Sequence, residues 1–228
     1  MEHRFDNLDV DEALRVIAEG TATTTGKSFY ASLVESLSGT LNTTGAWVTE
    51  YLRDTQRLRA LAFWLNGEWI EDYEYDIEGS PCELVVTSAQ TVHIPENVSS
   101  LFPKDSDLRV FQAVSYLGVP LIDAAGTVLG HLAVLDSRPM PKEPPLISLF
   151  QIFANRAAAE HQRLRAEAAT REREKKLSRL IDSAMDGIVE LDDGLRVTLM
   201  NTAAERMFNC AQTEVIGHEF SRFLSSAA

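Results

Sequence analysis

Cysteine is almost missing from this 228-residue chain: only Cys82 and Cys210 occur, far apart in sequence. No disulfide framework is available, and a reducing cytoplasm is the compartment that fits best. Long hydrophobic runs are also lacking. No apolar stretch approaches the roughly 18 residues of a membrane span, and the acidic start MEHRFDNLDVDEAL has no apolar segment of the kind a secretory signal needs. Basic charge is scarce, with 21 Lys and Arg against 34 Asp and Glu and a net charge of -13. Most of such a surface repels a phosphate backbone, so direct nucleic-acid binding is not expected. Catalytic signatures are missing as well: there is no glycine-rich phosphate loop, G-x-S-x-G or H-E-x-x-H, and no nucleophile–base pair is legible. No catalytic residue and no metal site is assigned, and no cofactor is demanded.

What is present is enough for a core. Hydrophobic residues make up 45% and charged residues 24% of the chain, the balance of a globular protein. Residues 10–19 and 27–41 carry Leu14, Ile17, Phe29, Leu33 and Leu37 at helical spacing. Residues 45–52 and 58–65 read as strands joined at Asp54-Thr55-Gln56. Over 69–77 the alternation predicts one half-buried strand, with Trp69, Tyr73, Tyr75 and Ile77 on one face and Asp72, Glu74 and Asp76 on the other. EGSPCELVVTSAQ then reads as a helix in which Ser80 caps, Pro81 takes the first helical position and Glu83 completes a capping box. A short strand at 91–94 follows, then a loop and short helix over 95–111. Two strands at 114–122 and 127–135 flank the turn Asp123-Ala124-Ala125-Gly126 as a hairpin. Being apolar on both faces, they are expected at the centre of the sheet.

From Pro145 to about Ala184 no helix breaker occurs. Such a helix reaches roughly 60 Å, too long to lie on one small domain. Its first half is apolar (Leu146, Phe150, Phe153, Ala157). Leu164 and Ala168 then ride on a charged rod, and Leu177, Leu180, Ile181 and Ala184 follow. Residues 163–179 hold seven basic against three acidic side chains. A charged helix face is most often simply solvated; its position between two folded segments points instead to a connector that carries a signal. The last 44 residues begin another α+β unit, with strands in DGIVELDD and LRVTLMN and a helix in TAAERMF, but stop before closing a sheet. The chain therefore reads as part of a longer gene product.

Two helices, three strands, a helix, a short strand, a central hairpin and a long exit helix make an α+β domain with a mainly antiparallel sheet of about six strands. EGSPCELV (78–85), HIPENV (93–98) and SYLGVPLIDAAGTVLGHLAVLD (115–136) resemble a GAF domain, the small-ligand sensing module of many signalling proteins, over about residues 8–165. Residues 177–228 resemble the opening of a PAS domain, through Asp186-Gly187-Ile188-Val189, Asn201-x-Ala203-Ala204-Glu205 and Glu214-Val215-Ile216-Gly217. The expected organisation is a GAF-like sensor over 1–165, a signalling helix over 145–184 that overlaps its end, and an incomplete PAS-like unit over 177–228.

Cys82, second in its helix, sees the positive end of the helix dipole, which favours a thiolate, while Glu83 opposes this. Its ordinary reading is a buried small hydrophobe; the resemblance puts it near the ligand cavity. On the same analogy Phe63, Phe111, Cys82 and Tyr116 are expected as cavity walls, with Tyr116 or Ser115 as a polar handle, although Trp47, Phe63, Trp64, Phe111 and Tyr116 also read simply as core. His93 and His131 are further candidates and, with Cys82, offer a soft nitrogen–sulfur set, but their spacing demands no metal. An attached bilin would need a Cys-His pair on a later helix, which Cys82 does not supply.

The resemblance implies a non-enzymatic sensory module of a bacterial signalling protein. It would bind an unknown small molecule and act as a homodimer through the long helix, whose seam would hold Leu164, Ala168, Leu177, Leu180 and Ile181, to bias a linked output domain such as a kinase, cyclase or transcription activator. Two alternatives remain: a dimerisation and relay module with no ligand, and a thiol-dependent methionine sulfoxide reductase, for which the GAF region holds no resolving cysteine.

Overall fold

The computed structural model describes residues 10–140 and 144–221, and the chain divides into two compact units between Leu164 and Arg165. In the first unit, α1 (Val10–Thr21) and α2 (Lys27–Leu41) precede β1 (Gly45–Leu52) and β2 (Arg57–Leu65). Two short strands follow, β3 (Glu68–Trp69) and β4 (Glu74–Asp76), then α3 (Pro81–Ser88) and β5 (Val92–Ile94). Next come two short helices, α4 (Val98–Leu101) and α5 (Ser106–Val110), the hairpin strands β6 (Ser115–Ile122) and β7 (Val128–Asp136), and α6 (Pro144–Asp182). The seven strands form one sheet in the order β3-β2-β1-β7-β6-β5, with β4 also pairing β2; each pairing is antiparallel. The α+β class with a central antiparallel sheet is as the sequence predicts.

The hairpin is central for the reason its composition suggests. Every residue of β7 is buried, and so is β6 as far as Leu121, so neither strand has a wet face. Leu117, Val119, Leu132 and Val134 pack on one side against α1, α2 and the first half of α6, where Leu33, Leu37, Phe150 and Phe153 lie. Tyr116, Ala133 and Leu135 face the other side, toward α3 and the segment 98–113. Period-2 alternation thus divides one apolar strand pair between two cores. Gly130 is required by close approach: a Cβ there would lie 1.9 Å from the Thr49 carbonyl oxygen, where β1 runs beside a bulge at Leu61 of β2.

One expectation is corrected here. Residues 69–77 are not one strand. Asp72 adopts a left-handed conformation (φ 52), which breaks the ladder into β3 and β4 and shifts the side-chain parity between them. Tyr73, Tyr75 and Ile77 therefore join the α3-side core, whereas Trp69 pairs with Trp64 at 5.0 Å between ring centroids, and Trp64 packs on the opposite core. Leu164, expected in the seam of the long helix, packs half-buried against the α1/α2/α6 core. The end of the unit is further tied by Arg156, which donates to the Thr21 carbonyl at 2.7 Å, and by Glu160, which accepts from the Gly26 N–H and pairs with Arg163.

The second unit continues α6 through Asp182 and adds β8 (Val189–Leu191), β9 (Val197–Met200), α7 (Thr202–Phe208) and α8 (Gln212–Val215). β8 and β9 pair as a two-stranded antiparallel sheet over a small core of Val197, Met200, Ala204 and Val215. Asn201 organises it. Its Oδ1 accepts from the Ile188 and Ala204 N–H groups, and its Nδ2 donates to the Ile181 and Asp186 carbonyls, all at 2.8–3.0 Å. On α6, Leu177 and Leu180 are exposed, each 59%; Ala168 is exposed as well, and Ile181 is half-buried.

Candidate ligand site

α3 begins where the sequence places it, and its cap sets the position of Cys82. Pro81 occupies the first turn and the Ser80 hydroxyl accepts from the Glu83 N–H at 3.3 Å. The predicted capping box is shifted by one residue. The Glu83 carboxylate reaches back to the Gly79 N–H at 2.8 Å, because the Ser80 N–H is already engaged by the Ile77 carbonyl at 3.0 Å. This start aims Cys82 at the sheet, where Gly118 makes room: a Cβ on Gly118 would fall 2.3 Å from the Tyr116 hydroxyl and 2.8 Å from Val85.

Between the sheet and the segment from α3 to Phe111 lies a cavity of about 30 Å³, room for one or two waters at roughly 10–15 Å³ each. Four of the sequence candidates, Phe63, Cys82, Phe111 and Tyr116, line it. The remaining wall includes residues that sequence reasoning did not assign to a site: Trp47, Tyr73, Tyr75, Asp105 and Asp107. For Tyr73 and Tyr75 a signal existed in their shared face over 69–77. For Asp105 it lay in the N-cap pattern of α5, where its Oδ1 accepts from the Asp107 and Leu108 N–H groups. The aromatic rings surround the space without stacking flat. Trp47–Phe63, Phe63–Tyr73 and Tyr73–Tyr75 sit 5.1–5.3 Å apart at interplanar angles of 36–56°.

Polar atoms converge on this space. The Tyr75 and Tyr116 hydroxyls donate to Cys82 Sγ at 3.3 and 3.5 Å, and the Tyr73 hydroxyl donates to Asp107. The Trp47 indole N–H is buried and stops short of a hydrogen bond, although it is close enough to the Tyr75 hydroxyl to pull that phenol's pKa down. Burial dominates the electrostatics. It pushes the Cys82 thiol up to about 11, against the opposing donations from Tyr116 and Tyr75. It raises Tyr75 and Tyr116 well above the ordinary phenol value and lifts the Asp105 carboxyl against its capping bonds. Desolvation outweighs the helix dipole, which supports the ordinary reading of Cys82 as a buried, neutral thiol.

The other candidates lie elsewhere. His93 sits half-buried on β5 with the opposite parity to Val92 and Ile94, and its Nε2 pairs with the Met140 carbonyl at 3.0 Å. Ser115 likewise turns from the cavity and donates to the Arg138 carbonyl at 2.7 Å. His131 is on the cavity side of the sheet but stands behind Trp47, their rings 6.1 Å apart and edge-on. Its Nδ1 lies 2.6 Å from the Thr49 hydroxyl, and full burial holds its pKa down at about 3. The structure thus does not bring Cys82, His93 and His131 together, and among the described residues no group of three or more His, Cys, Asp or Glu is placed to hold a metal ion.

A family model described as the GAF domain matches residues 9–160. The chain belongs to the GAF family. A PAS domain model matches residues 175–227, and the pair marks a sensory and signalling module. GAF domains are also what the fold resembles. The GAF domain from a phosphoenolpyruvate-protein phosphotransferase of Coxiella burnetii superposes with a TM-score of 0.61 at 17% identity, covering 71% of this chain and 97% of that one. The free methionine-R-sulfoxide reductase of Neisseria meningitidis, solved with its substrate, gives 0.52 at 16% identity, over 67% and 90% of the two chains. The chromophore-binding domain of Stigmatella aurantiaca bacteriophytochrome gives 0.54 at 11% identity, over 69% and 62%. No curated protein matches the sequence. No helix among the described residues is long and apolar enough to cross a membrane.

Proposed function

We propose that the GAF unit is a non-enzymatic sensor in a bacterial cytoplasm, and that its cavity, walled in part by Phe63, Cys82, Phe111 and Tyr116, holds a small molecule whose binding biases α6. The observation that carries this reading is the convergence of polar groups, including the buried unpaired Trp47 N–H, on a space enclosed by aromatic rings. A buried donor left without a partner costs roughly 1–3 kcal/mol, and a ligand that accepts from it recovers that. Such a ligand acts as a signal only if it favours one of two states.

In this reading α6 is the signalling helix over 145–184. Its first half packs beneath the sheet through Leu146, Phe150 and Phe153, and a second copy pairs along Ala168, Leu177, Leu180 and Ile181. The PAS-like unit over 177–228 then passes the bias to a linked output domain. Support for a regulatory over a catalytic role comes from Cys82 itself: a neutral thiol with two phenols donating to it is a poor nucleophile. Native mass spectrometry of the purified chain tests the reading. A dimer carrying extra non-covalent mass is expected; a monomer without added mass at high concentration would sink it.

The size of the cavity favours a second reading. Sites for drug-sized ligands run to about 300–1,000 Å³, and this one is about 30 Å³. A relay module whose core is filled by its own aromatic rings would dimerise bare, with no ligand-dependent change in melting temperature.

A further inference from the structure

The cavity wall has a charge character that narrows its ligand. None of the side chains lining it is basic, while two carboxylates, Asp105 and Asp107, stand at its edge among six aromatic rings. Both carboxylates are half-buried, and neither has an ion-pair partner among the described residues. Asp105 uses Oδ1 for both capping bonds, which leaves Oδ2 for a ligand. Asp107 takes the Tyr73 hydroxyl on its own Oδ2. The helix ends that would otherwise attract an anion are already occupied: Ser80 and Glu83 satisfy the start of α3, and Asp105 satisfies α5.

An oxyanion entering this space would meet two carboxylates and no counter-charge. Desolvated, like charges at such separations repel by several kcal/mol. A cation meets the reverse: two carboxylates and the negative faces of aromatic rings, which attract an ammonium group by roughly 0.5–2 kcal/mol per ring contact. The small volume selects further, since room for one or two waters admits an ammonium group of one or two heavy atoms and excludes a nucleotide or tetrapyrrole.

We propose that this cavity recognises a small ammonium cation, held between the Asp105 and Asp107 carboxylates and the rings of Trp47, Tyr73 and Tyr75. The inference rests on the sensor reading and adds its ligand class. The Trp47 N–H then donates to a water bound beside the ammonium, so a cation small enough to leave room for that water should bind more tightly than a bulkier one.

The test uses the full chain, with calorimetry and melting-temperature shifts for methylammonium, ethanolamine, tetramethylammonium, formate and acetamide. Saturable binding of methylammonium is expected, with ethanolamine weaker, tetramethylammonium and formate inert, and affinity at least tenfold weaker in Asp107→Asn. Asp105→Asn keeps the cap on α5, because asparagine caps as well as aspartate, and should weaken binding by a similar factor with an unchanged melting temperature. Formate or acetamide binding in place of the amines overturns the cation assignment while leaving the sensor reading intact. Binding of none of the five probes, together with a bare native mass, overturns both. Amine binding equally strong in both asparagine variants places the cation elsewhere and overturns the proposal.

Discussion

The Tyr116 hydroxyl donates to Cys82 Sγ at 3.5 Å, and Tyr75, from a strand at the other end of the sheet order, donates to the same sulfur at 3.3 Å. Two phenols on one thiol join β4, β6 and α3 at a single atom. They stabilise negative charge on sulfur, yet burial wins and the thiol pKa stands at about 11. The GAF resemblance alone would have left Cys82 open to a reactive role; its surroundings argue for a fixed one.

Cys82 should resist alkylation in the folded protein. Iodoacetamide at pH 7.5, followed by peptide mass mapping, is expected to label half-buried Cys210 at least tenfold faster than Cys82, and the difference should vanish in denaturant. Equal native rates would show that the thiol is accessible and ionised.

His131 makes the fold acid-sensitive. Its folded pKa of about 3 lies below the ordinary 6.5, so the unfolded chain binds the extra proton between those values. Stability is complete above pH 6.5 and falls as the pH drops toward 3. The slope is about 1.4 kcal/mol per pH unit for this one group. Denaturant melts of the wild type and of His131→Gln across that range should differ by this slope; parallel curves would show that His131 takes up its proton without cost.

Leu177→Asp with Leu180→Asp should lower the mass seen by light scattering toward that of a monomer without changing the melting of the GAF unit, because both side chains are exposed. Leu164→Asp behaves differently. It places a charge against the α1/α2/α6 core and should cost the GAF unit roughly 1–3 kcal/mol. An unchanged mass in the double variant would move the dimer seam off this stretch.

Asn201→Ala removes a side chain whose two donors and two acceptor sites are all used within the second unit. A loss of roughly 2–4 kcal/mol is expected, enough to melt a core this small. Hydrogen exchange should show loss of protection over residues 186–215 alone; retained protection there would mean that Val197, Met200 and Val215 hold the unit without the cap.

Local rules determined much of this protein from its sequence. Continuous apolar strands around Asp123-Ala124-Ala125-Gly126 had to be central, Ser80-Pro81 had to start a helix, and an unbroken Ala, Glu, Arg and Leu run had to continue as one 39-residue helix. These features depend on neighbours a few residues apart, whereas the grouping of Phe63, Cys82, Phe111 and Tyr116 came from the resemblance to a GAF domain.

Only the tertiary structure decided which side of the sheet each candidate faced. One left-handed residue, Asp72, moved Tyr73 and Tyr75 away from the side of Trp69, and a single step of strand parity turned His93 and Ser115 from the cavity. Burial likewise decided the charge state of Cys82, where the helix dipole and Glu83 act in opposite directions. A strand's parity follows from every bulge and break before it, and desolvation depends on residues distant in sequence, so neither is encoded in a local pattern.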